Sequence, residues 1–241
     1  MALLAAERVK LFTTRSPWWC AALTLILTIG FSALITALRD VDSVSVSSAE
    51  FGYQFGLVVI LVLATLAVTT EYRFGTIRTT FQAIPHRGSA LLAKTTVVAG
   101  LAFVLGEIAG FGSWGMAKLI KPGGNLALDS TVVWVNVAGI GVVYAFAAVI
   151  AVAVGILLRH SAGAISLLLI YNLAVETLIQ MIPDLGAKIH EWMPFNVAHK
   201  FLTGGGGSDS PLSPGWALAY FAGFALVLLG IAIFVAKKRD A

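Results

Sequence analysis

The chain has 241 residues, of which 59% are hydrophobic and 12% are charged, and its formal net charge is +4. A soluble domain carries about 25% charged residues, so this composition excludes an ordinary soluble globular protein and indicates a membrane protein. The single cysteine, Cys20, excludes an internal disulfide, and the spacing of cysteine and histidine does not fit a zinc site.

Six apolar runs follow one another along the chain, each near or above the roughly 20 residues that a helix needs to cross a bilayer. We predict spans at residues 18–38, 51–70, 90–117, 132–158, 163–182 and 216–236. Helix is the only open-chain structure that satisfies every backbone N–H and C=O group within lipid. The predicted fold is therefore all-α, with one transmembrane domain over residues 1–241.

The distribution of Lys and Arg predicts how the spans are oriented. Six spans place both termini on one side of the membrane, and that side carries most of the basic residues. The loops on the opposite side carry most of the acidic residues. Because cytoplasmic loops are enriched in Lys and Arg, we expect both termini to lie in the cytoplasm.

A compact charged segment, EYRFGTIRTTFQAIPHRGSALLAK at residues 71–94, joins the second and third spans. One set of residues at helical spacing predicts an apolar stripe that holds the segment to its own protein: Phe74, Ile77, Phe81 and Ile84. Another set predicts a polar stripe: Glu71, Gly75, Arg78 and Gln82. We therefore expect a short amphipathic helix at about 71–84, lying across the cytoplasmic face. Its polar stripe either rests on lipid headgroups or faces a partner protein.

This segment resembles the region after the second span in ABC transporter permeases of the type-2 membrane-domain family. The shared features are a Glu, a Gly-Thr pair followed by a basic residue, a Pro/Arg turn and a Lys entering the third span: Glu71, Gly75, Thr76, Arg78, Pro85, Arg87 and Lys94. The family also has six spans, cytoplasmic termini and an N-terminal helix that lies along the membrane. Residues 2–15 would form that helix here.

The resemblance implies that the loop helix is a coupling helix, which docks in a cleft of a separate ATP-binding subunit. The residues expected to dock are Glu71, Arg73, Gly75, Thr76, Arg78, Thr79 and Gln82. It also implies a homodimer or heterodimer of permeases that exports a solute across a bacterial plasma membrane. The chain has no G-x-x-x-x-G-K-[ST] loop, so we expect it to be non-catalytic, with ATP and Mg bound by the partner and no cofactor or metal of its own.

Polar residues within the spans suggest where a solute path would run. Asn172, Glu176 and Gln180 recur every four residues and form a polar stripe on the fifth span. Glu107 in the third span and Asn136 in the fourth complete the predicted path. A charged carboxylate that faces lipid costs several kcal/mol. Each Glu must therefore be protonated, open to a watery cavity, or engaged in hydrogen bonds between helices, which is the structural alternative to a path.

Other functions stay open at this level. The chain could be a non-transporting scaffold or lipid-facing adaptor of a larger complex. A secondary transporter with six spans would have to dimerise, and the charged segment would then be unexplained. An intramembrane hydrolase is disfavoured, because the sequence contains neither H-E-x-x-H nor G-x-S-x-G. Nothing in the sequence selects a substrate.

Overall fold

A computed structural model describes residues 2–83, 87–183, 185–204 and 212–238. Within those ranges all regular elements are helical, and Ser45 and Asn125 form an isolated β-bridge. The α-helices are α1 (Ala2–Thr13), α2 (Ser16–Leu38), α3 (Val46–Ala49), α4 (Tyr53–Arg73), α5 (Thr76–Ala83), α6 (Arg87–Ile120), α7 (Thr131–Leu158), α8 (Ser161–Ile170), α9 (Glu176–Gln180), α10 (Gly186–His190), α11 (Pro194–Thr203) and α12 (Pro214–Lys238).

Six helical stretches in the described part of the chain are long and apolar enough to cross a membrane: Ser16–Leu38, Val46–Arg73, Arg87–Ile120, Thr131–Leu158, Ser161–Gln180 and Pro214–Lys238. The prediction of an all-α membrane protein with six candidate spanning helices is confirmed. Span two begins earlier than predicted, because Ser45 and Ser48 form a capping box that starts a short helix at Val46. Span five is not uniform, since a π-helical turn at Tyr171–Val175 joins α8 to α9.

Helix α7 forms the centre of the bundle. It packs against α4, α6, α11 and α12, and every residue from Ala147 to Ile156 is buried. Most of these residues are Ala, Val or Gly, whose small size lets neighbouring helices approach closely where lipid gives no hydrophobic drive for association. The composition of the fourth apolar run therefore explains its central position.

The crossing of α6 and α7 depends on three glycines. A Cβ atom added to Gly106 of α6 would lie 2.6 Å from the Cα atom of Gly141 in α7, and one added to Gly110 would lie 2.5 Å from the carbonyl oxygen of Val137. Real Cβ atoms do not approach backbone atoms this closely. The two backbones are therefore in direct contact, which fixes the height of α6 against α7.

Helix α2 turns a polar face toward the bundle. Its buried hydroxyl residues recur every four positions: Thr24, Thr28, Ser32 and Thr36. Opposite them on span two lie Gly52 and Gly56, where an added Cβ would overlap atoms of Thr28. Small residues on both sides give a close contact between α2 and α4. This contact lies at the end of the bundle away from the chain termini.

At that same end, α10 and α11 form a short helical hairpin between spans five and six. Pro194 occupies the first turn of α11, where its missing N–H would have had no helical partner. One face of α11 is buried, and it packs on α7 and α12. The hairpin therefore covers the end of the bundle.

Candidate functional site

The loop between spans two and three is not one continuous helix. Helix α4 continues to Arg73, Gly75 adopts a left-handed conformation with a φ of +71°, and α5 begins at Thr76. A left-handed residue commonly ends a helix, and glycine adopts this conformation without the steric cost of a Cβ atom. The predicted helix at 71–84 is corrected accordingly, since residues 71–73 belong to α4.

The break at Gly75 decides which apolar side chains are buried. Ile77 is 3% exposed and Phe81 is half-buried, as the predicted stripe requires, but Phe74 is 72% exposed. Phe74 precedes the left-handed residue, so it does not share the helical register of α5. Its assignment to the apolar stripe was wrong, and Ile84 lies outside the described residues.

The residues expected to dock a partner are mostly accessible. Six of the seven are exposed: Arg73, Gly75, Thr76, Arg78, Thr79 and Gln82. We call these six residues the α5 surface. Glu71 is different, because its carboxylate faces the protein and its Oε1 atom lies 2.8 Å from Lys94 Nζ. The role of the α5 surface in docking stays a prediction.

Glu71 belongs to a charge cluster with Glu7, Lys10 and Lys94. Lys94 Nζ donates to Glu7 Oε2 at 2.5 Å as well as to Glu71. Lys10 Nζ lies 2.7 Å from Glu7 Oε1 and 3.7 Å from Glu71 Oε1, and it donates to Thr80 Oγ1 at 2.9 Å. The charge cluster thereby joins α1, α4, α5 and α6 through side chains alone.

At the charge cluster, burial and the neighbouring charges shift the pKa values of the side chains in opposite directions. Burial alone would raise the pKa of Glu7, but the charge of Lys94 and the hydrogen bonds from Lys10 and Lys94 outweigh it, so the pKa of Glu7 is lowered. Burial would likewise lower the pKa of Lys10, but its hydrogen bond to Glu7 and the charge of Glu71 raise it. Both groups are therefore held in their charged forms.

Sequence reasoning missed the charge cluster, although the sequence contained a signal for it. Lys94 lies two turns inside α6, and it is buried. A buried charge within a span needs a partner of opposite sign. Among the acidic residues before the third span, Glu7 and Glu71 belong to segments that the prediction placed on the same side of the membrane as Lys94. The need for a partner for Lys94 would have indicated these two.

The three residues of the predicted stripe on span five differ in their exposure. Glu176 is buried, Asn172 is half-buried within the π-helical turn, and Gln180 is exposed. The Glu176 carboxylate accepts the backbone N–H groups of Phe195 at 3.1 Å and Asn196 at 2.9 Å.

Asn136 and Glu176, both assigned to the path, hold opposite ends of α11. Glu176 binds the free N–H groups at the beginning of that helix, where the helix dipole favours negative charge. Asn136 Nδ2 donates to the carbonyl oxygen of Leu202 at 3.1 Å, in the last turn of α11. Their geometry matches the alternative of hydrogen bonding between helices.

Glu107 and Glu50 are acidic residues within spans that belong neither to the charge cluster nor to the cap of α11. A Cβ added to Gly141 would overlap the Glu107 carboxyl group, so that glycine makes room for it on α7. Glu50 lies just before the predicted second span at 51–70, but in the structure it is 3% exposed inside span two. Neither of its carboxylate oxygens has a hydrogen-bond partner among the described residues. An unpartnered buried carboxyl is costly, and Glu50 is the buried acidic residue whose two carboxylate oxygens both lack a partner among the described residues.

The described residues contain no group of three or more His, Cys, Asp or Glu side chains that could hold a metal ion. No protein-family model matches the sequence, and no curated protein matches it either.

Proposed function

We propose that this chain is the membrane subunit of an ATP-driven transporter, and that it docks a separate ATP-binding subunit through the α5 surface. The observation that carries the proposal is an exposed helix of eight residues, α5, fixed between two spans. Arg78, Thr79 and Gln82 are exposed, while Ile77 and Thr80 are buried beneath them. A surface of this kind is accessible and also held firmly to the bundle.

The contacts of α5 give a route by which a partner could move the spans. Thr80 of α5 binds Lys10 of α1, and Lys10 is paired with Glu7. Glu7 and Glu71 both bind Lys94, which belongs to span three. A displacement of α5 therefore acts on α1, on the end of span two and on the beginning of span three together.

The chemistry of the α5 surface is compatible with a protein partner. Phe74 is 72% exposed next to Arg73, whose guanidinium carbon lies 5.6 Å from the centre of the Phe74 ring. Aromatic and Arg side chains are enriched among residues that dominate protein interfaces. Lipid headgroups also attract a basic, aromatic surface, so an experiment has to separate the two.

The remaining parts of the proposal follow the resemblance and the charge bias. The chain works as a dimer with a second copy or a homologous permease, exports its solute and lies in a bacterial plasma membrane with both termini in the cytoplasm. ATP and Mg bind to the partner. Because Glu176 and Asn136 hold α11, Glu50 replaces them as the first residue to test in a path.

Co-purification tests the docking proposal. We expect the chain, extracted in mild detergent, to carry with it a soluble ATPase that contains a Walker A motif. Arg78→Glu reverses a charge on the α5 surface, and Gln82→Trp adds bulk there, so both should reduce ATPase recovery. Arg8→Glu is the matched control, because Arg8 is an exposed basic residue of α1 outside the α5 surface.

Gly75→Trp would be a poor steric test, because the left-handed φ at Gly75 strains any side chain, even though no atom of the described residues lies within 4 Å of an added Cβ. Recovery of equal amounts of ATPase with wild type, Arg78→Glu and Gln82→Trp would contradict docking at α5. Loss of binding to anionic vesicles in Arg78→Glu, with ATPase recovery unchanged, would assign the α5 surface to lipid.

A non-transporting scaffold is the second candidate, and one observation favours it. Glu176 and Asn136, which were expected to line a path, are engaged in holding α11. Substrate-stimulated ATP hydrolysis in reconstituted vesicles separates the two functions. A transporter requires it, whereas a scaffold that binds the same ATPase does not.

A further inference from the structure

A cleft of about 800 Å³ opens at the end of the bundle that carries α1, α5 and the charge cluster. Its walls come from α1, the beginning of α2, the last turns of α4, α5 and the first turns of α6. At the other end of the bundle, α2 and α4 are in close contact through Gly56 and Thr28. The cleft separates the same two helices here, between Pro17 and Ala67.

The lining of the cleft divides into a polar part and an apolar part. The polar part lies at the junction of α1 and α2 and includes Lys10, Thr14, Arg15 and Ser16. The apolar part lies farther along the spans and includes Leu63, Leu66, Ala67 and Val97. Along α4, Leu63 lies about 15 Å from the end of the helix at Arg73. The apolar part of the cleft therefore extends well into the hydrocarbon region.

Positive charge is available at the mouth of the cleft. Arg15 is exposed, and its side chain forms no ion pair with the described residues. The Lys10 side chain is 42% exposed despite its ion pairs. Glu71 also lines the cleft, and its Oε2 atom is buried without a partner in the described residues. The mouth therefore offers cations for a phosphate and an acceptor for a hydrogen-bond donor.

We propose that this cleft binds one membrane glycerophospholipid, with its phosphate at Arg15 and Lys10 and an acyl chain along Leu63, Leu66 and Ala67. The order of the two parts matches the order of a phospholipid leaflet, with charge at the membrane surface and hydrocarbon beneath it. Trp18 and Trp19, both exposed next to the cleft, are residues typical of the headgroup level. This proposal does not depend on what the chain transports or on its docking an ATPase.

A phospholipid fits the cleft better than a water-soluble anion or a second protein chain. A free phosphate or nucleotide would satisfy Arg15 but leave the apolar part against water, which is unfavourable. An apolar peptide would leave the cations at the mouth unpaired. A phospholipid satisfies both parts and is present at high concentration wherever a spanning protein resides.

Lipid retention gives the first test. The full-length protein is purified from vesicles of phosphatidylethanolamine and phosphatidylglycerol, washed extensively in detergent, and weighed by native mass spectrometry. We expect the wild type to keep one phospholipid per chain, Ala67→Trp to lose it because the indole fills the cleft, and Arg15→Gln to lose it about fivefold faster. Arg8→Gln and Ile26→Trp are the controls, because both residues are exposed outside the cleft.

A photoreactive phospholipid gives the second test and needs no variant. A diazirine on the acyl chain should label residues 63–70 and 97–98 of the washed wild-type protein, and excess unlabelled phospholipid should prevent the labelling. Excess inorganic phosphate should not prevent it. Equal retention by wild type and Ala67→Trp, or label confined to the lipid-exposed faces of other spans, would overturn the proposal. Loss of a dimer in Ala67→Trp with unchanged lipid retention would assign the cleft to a second copy instead.

Discussion

The two ends of the bundle satisfy their buried polar groups in different ways. At the end that carries α1 and α5, charged side chains pair with one another, as in the contacts of Lys94 with Glu7 and Glu71. At the opposite end, most such side chains bind backbone groups, as Glu176 binds the N–H groups of Phe195 and Asn196, and the pair of Tyr53 with His199 is an exception. Tyr144 follows the same rule there, because its hydroxyl donates to the carbonyl oxygen of Tyr53.

The difference indicates which end can rearrange. A contact between two side chains can separate and form again while each helix keeps its backbone hydrogen bonds. A carboxylate that caps a helix cannot leave without exposing unsatisfied N–H groups. We therefore expect the helices at the end with the charge cluster to shift relative to one another and the end with α11 to stay fixed.

The largest effect should come from removing Lys94. Lys94→Ala leaves two carboxylates near each other in a buried site, and losing one partner of a buried pair costs about 3–5 kcal/mol. Equilibrium unfolding in mixed micelles measures this loss. Lys118→Ala is the control on the same helix, where the exposed ammonium lies 4.2 Å from the centre of the Trp114 ring and should contribute about 0.5–1 kcal/mol.

The triple variant Glu7→Gln, Glu71→Gln, Lys94→Met replaces every strongly buried charge of the cluster. It should recover most of the stability that Lys94→Ala loses, because no buried charge is left unpaired. A loss below about 1 kcal/mol in Lys94→Ala would mean that the charge cluster is hydrated and does not join the helices.

Removing the cap of α11 should have the next largest effect. Glu176→Ala leaves two backbone N–H groups without their acceptor, which costs about 2 kcal/mol. Hydrogen exchange should accelerate at Phe195 and Asn196, while exchange in α5 stays unchanged. Gln180→Ala, one turn farther on an exposed position, should leave both regions as in wild type. If hydrogen exchange at Phe195 is unchanged in Glu176→Ala, the cap does not hold α11, and the expected rigidity of this end is contradicted.

Alanine substitutions at two glycines should change the stability by smaller amounts and in opposite directions. Their comparison tests the turn before α5. Gly75→Ala should destabilise the protein by about 1 kcal/mol, because a Cβ atom is unfavourable at a positive φ. Gly100→Ala should be neutral or stabilising, since Gly100 lies within α6 and no atom lies within 4 Å of an added Cβ. Both values come from the same micelle unfolding assay, and equal values would show that the turn tolerates a side chain.

The smallest expected change in stability is its dependence on pH, which should differ between the two ends of the bundle. Burial lowers the pKa of His199 from its usual 6.5, and the charge cluster lowers the pKa of Glu7 from its usual 4.5. A lowered folded-state pKa means that the unfolded state binds protons first, so each contribution is complete above the usual value and is lost as the pH falls. Acidification should therefore weaken the α11 end below pH 6.5 and the charge cluster only below pH 4.5.

Hydrogen exchange at several pH values measures both transitions. His199→Gln should abolish the first transition, because a glutamine side chain does not titrate; in the wild type the ring Nδ1 atom lies 2.6 Å from Tyr53 Oη. Glu7→Gln should abolish the second one. A single transition shared by both ends would contradict their independence.

The spans could be predicted from the sequence because length and apolarity are local properties. The exposure of Arg78 and Gln82 was also predictable, since it follows from the periodicity of α5 itself. The exposure of Phe74 was not, because one left-handed glycine changes the register within two residues. The periodicity of apolar residues assumes one continuous helix, so it does not reveal a break at a single glycine.

Contacts between distant segments account for the other differences. Glu7 meets Lys94 across 87 positions of sequence, and no local pattern encodes that pairing. Glu176 looked like part of a polar stripe because its partners lie in another helix, and backbone N–H groups carry no signature in the sequence. Glu50 fell outside the predicted second span because that prediction missed the capped turn at Ser45, which lengthens the span.

The central position of α7 also has a consequence for biosynthesis. As the fourth span, α7 leaves the ribosome after α2, α4 and α6, so these three enter the membrane before the helix they surround exists. During that interval the hydroxyl of Thr28 lacks Tyr144, which lies 3.3 Å away in the finished protein. Translation slowed before Thr131 would prolong the interval in which the Thr28 hydroxyl lacks this partner.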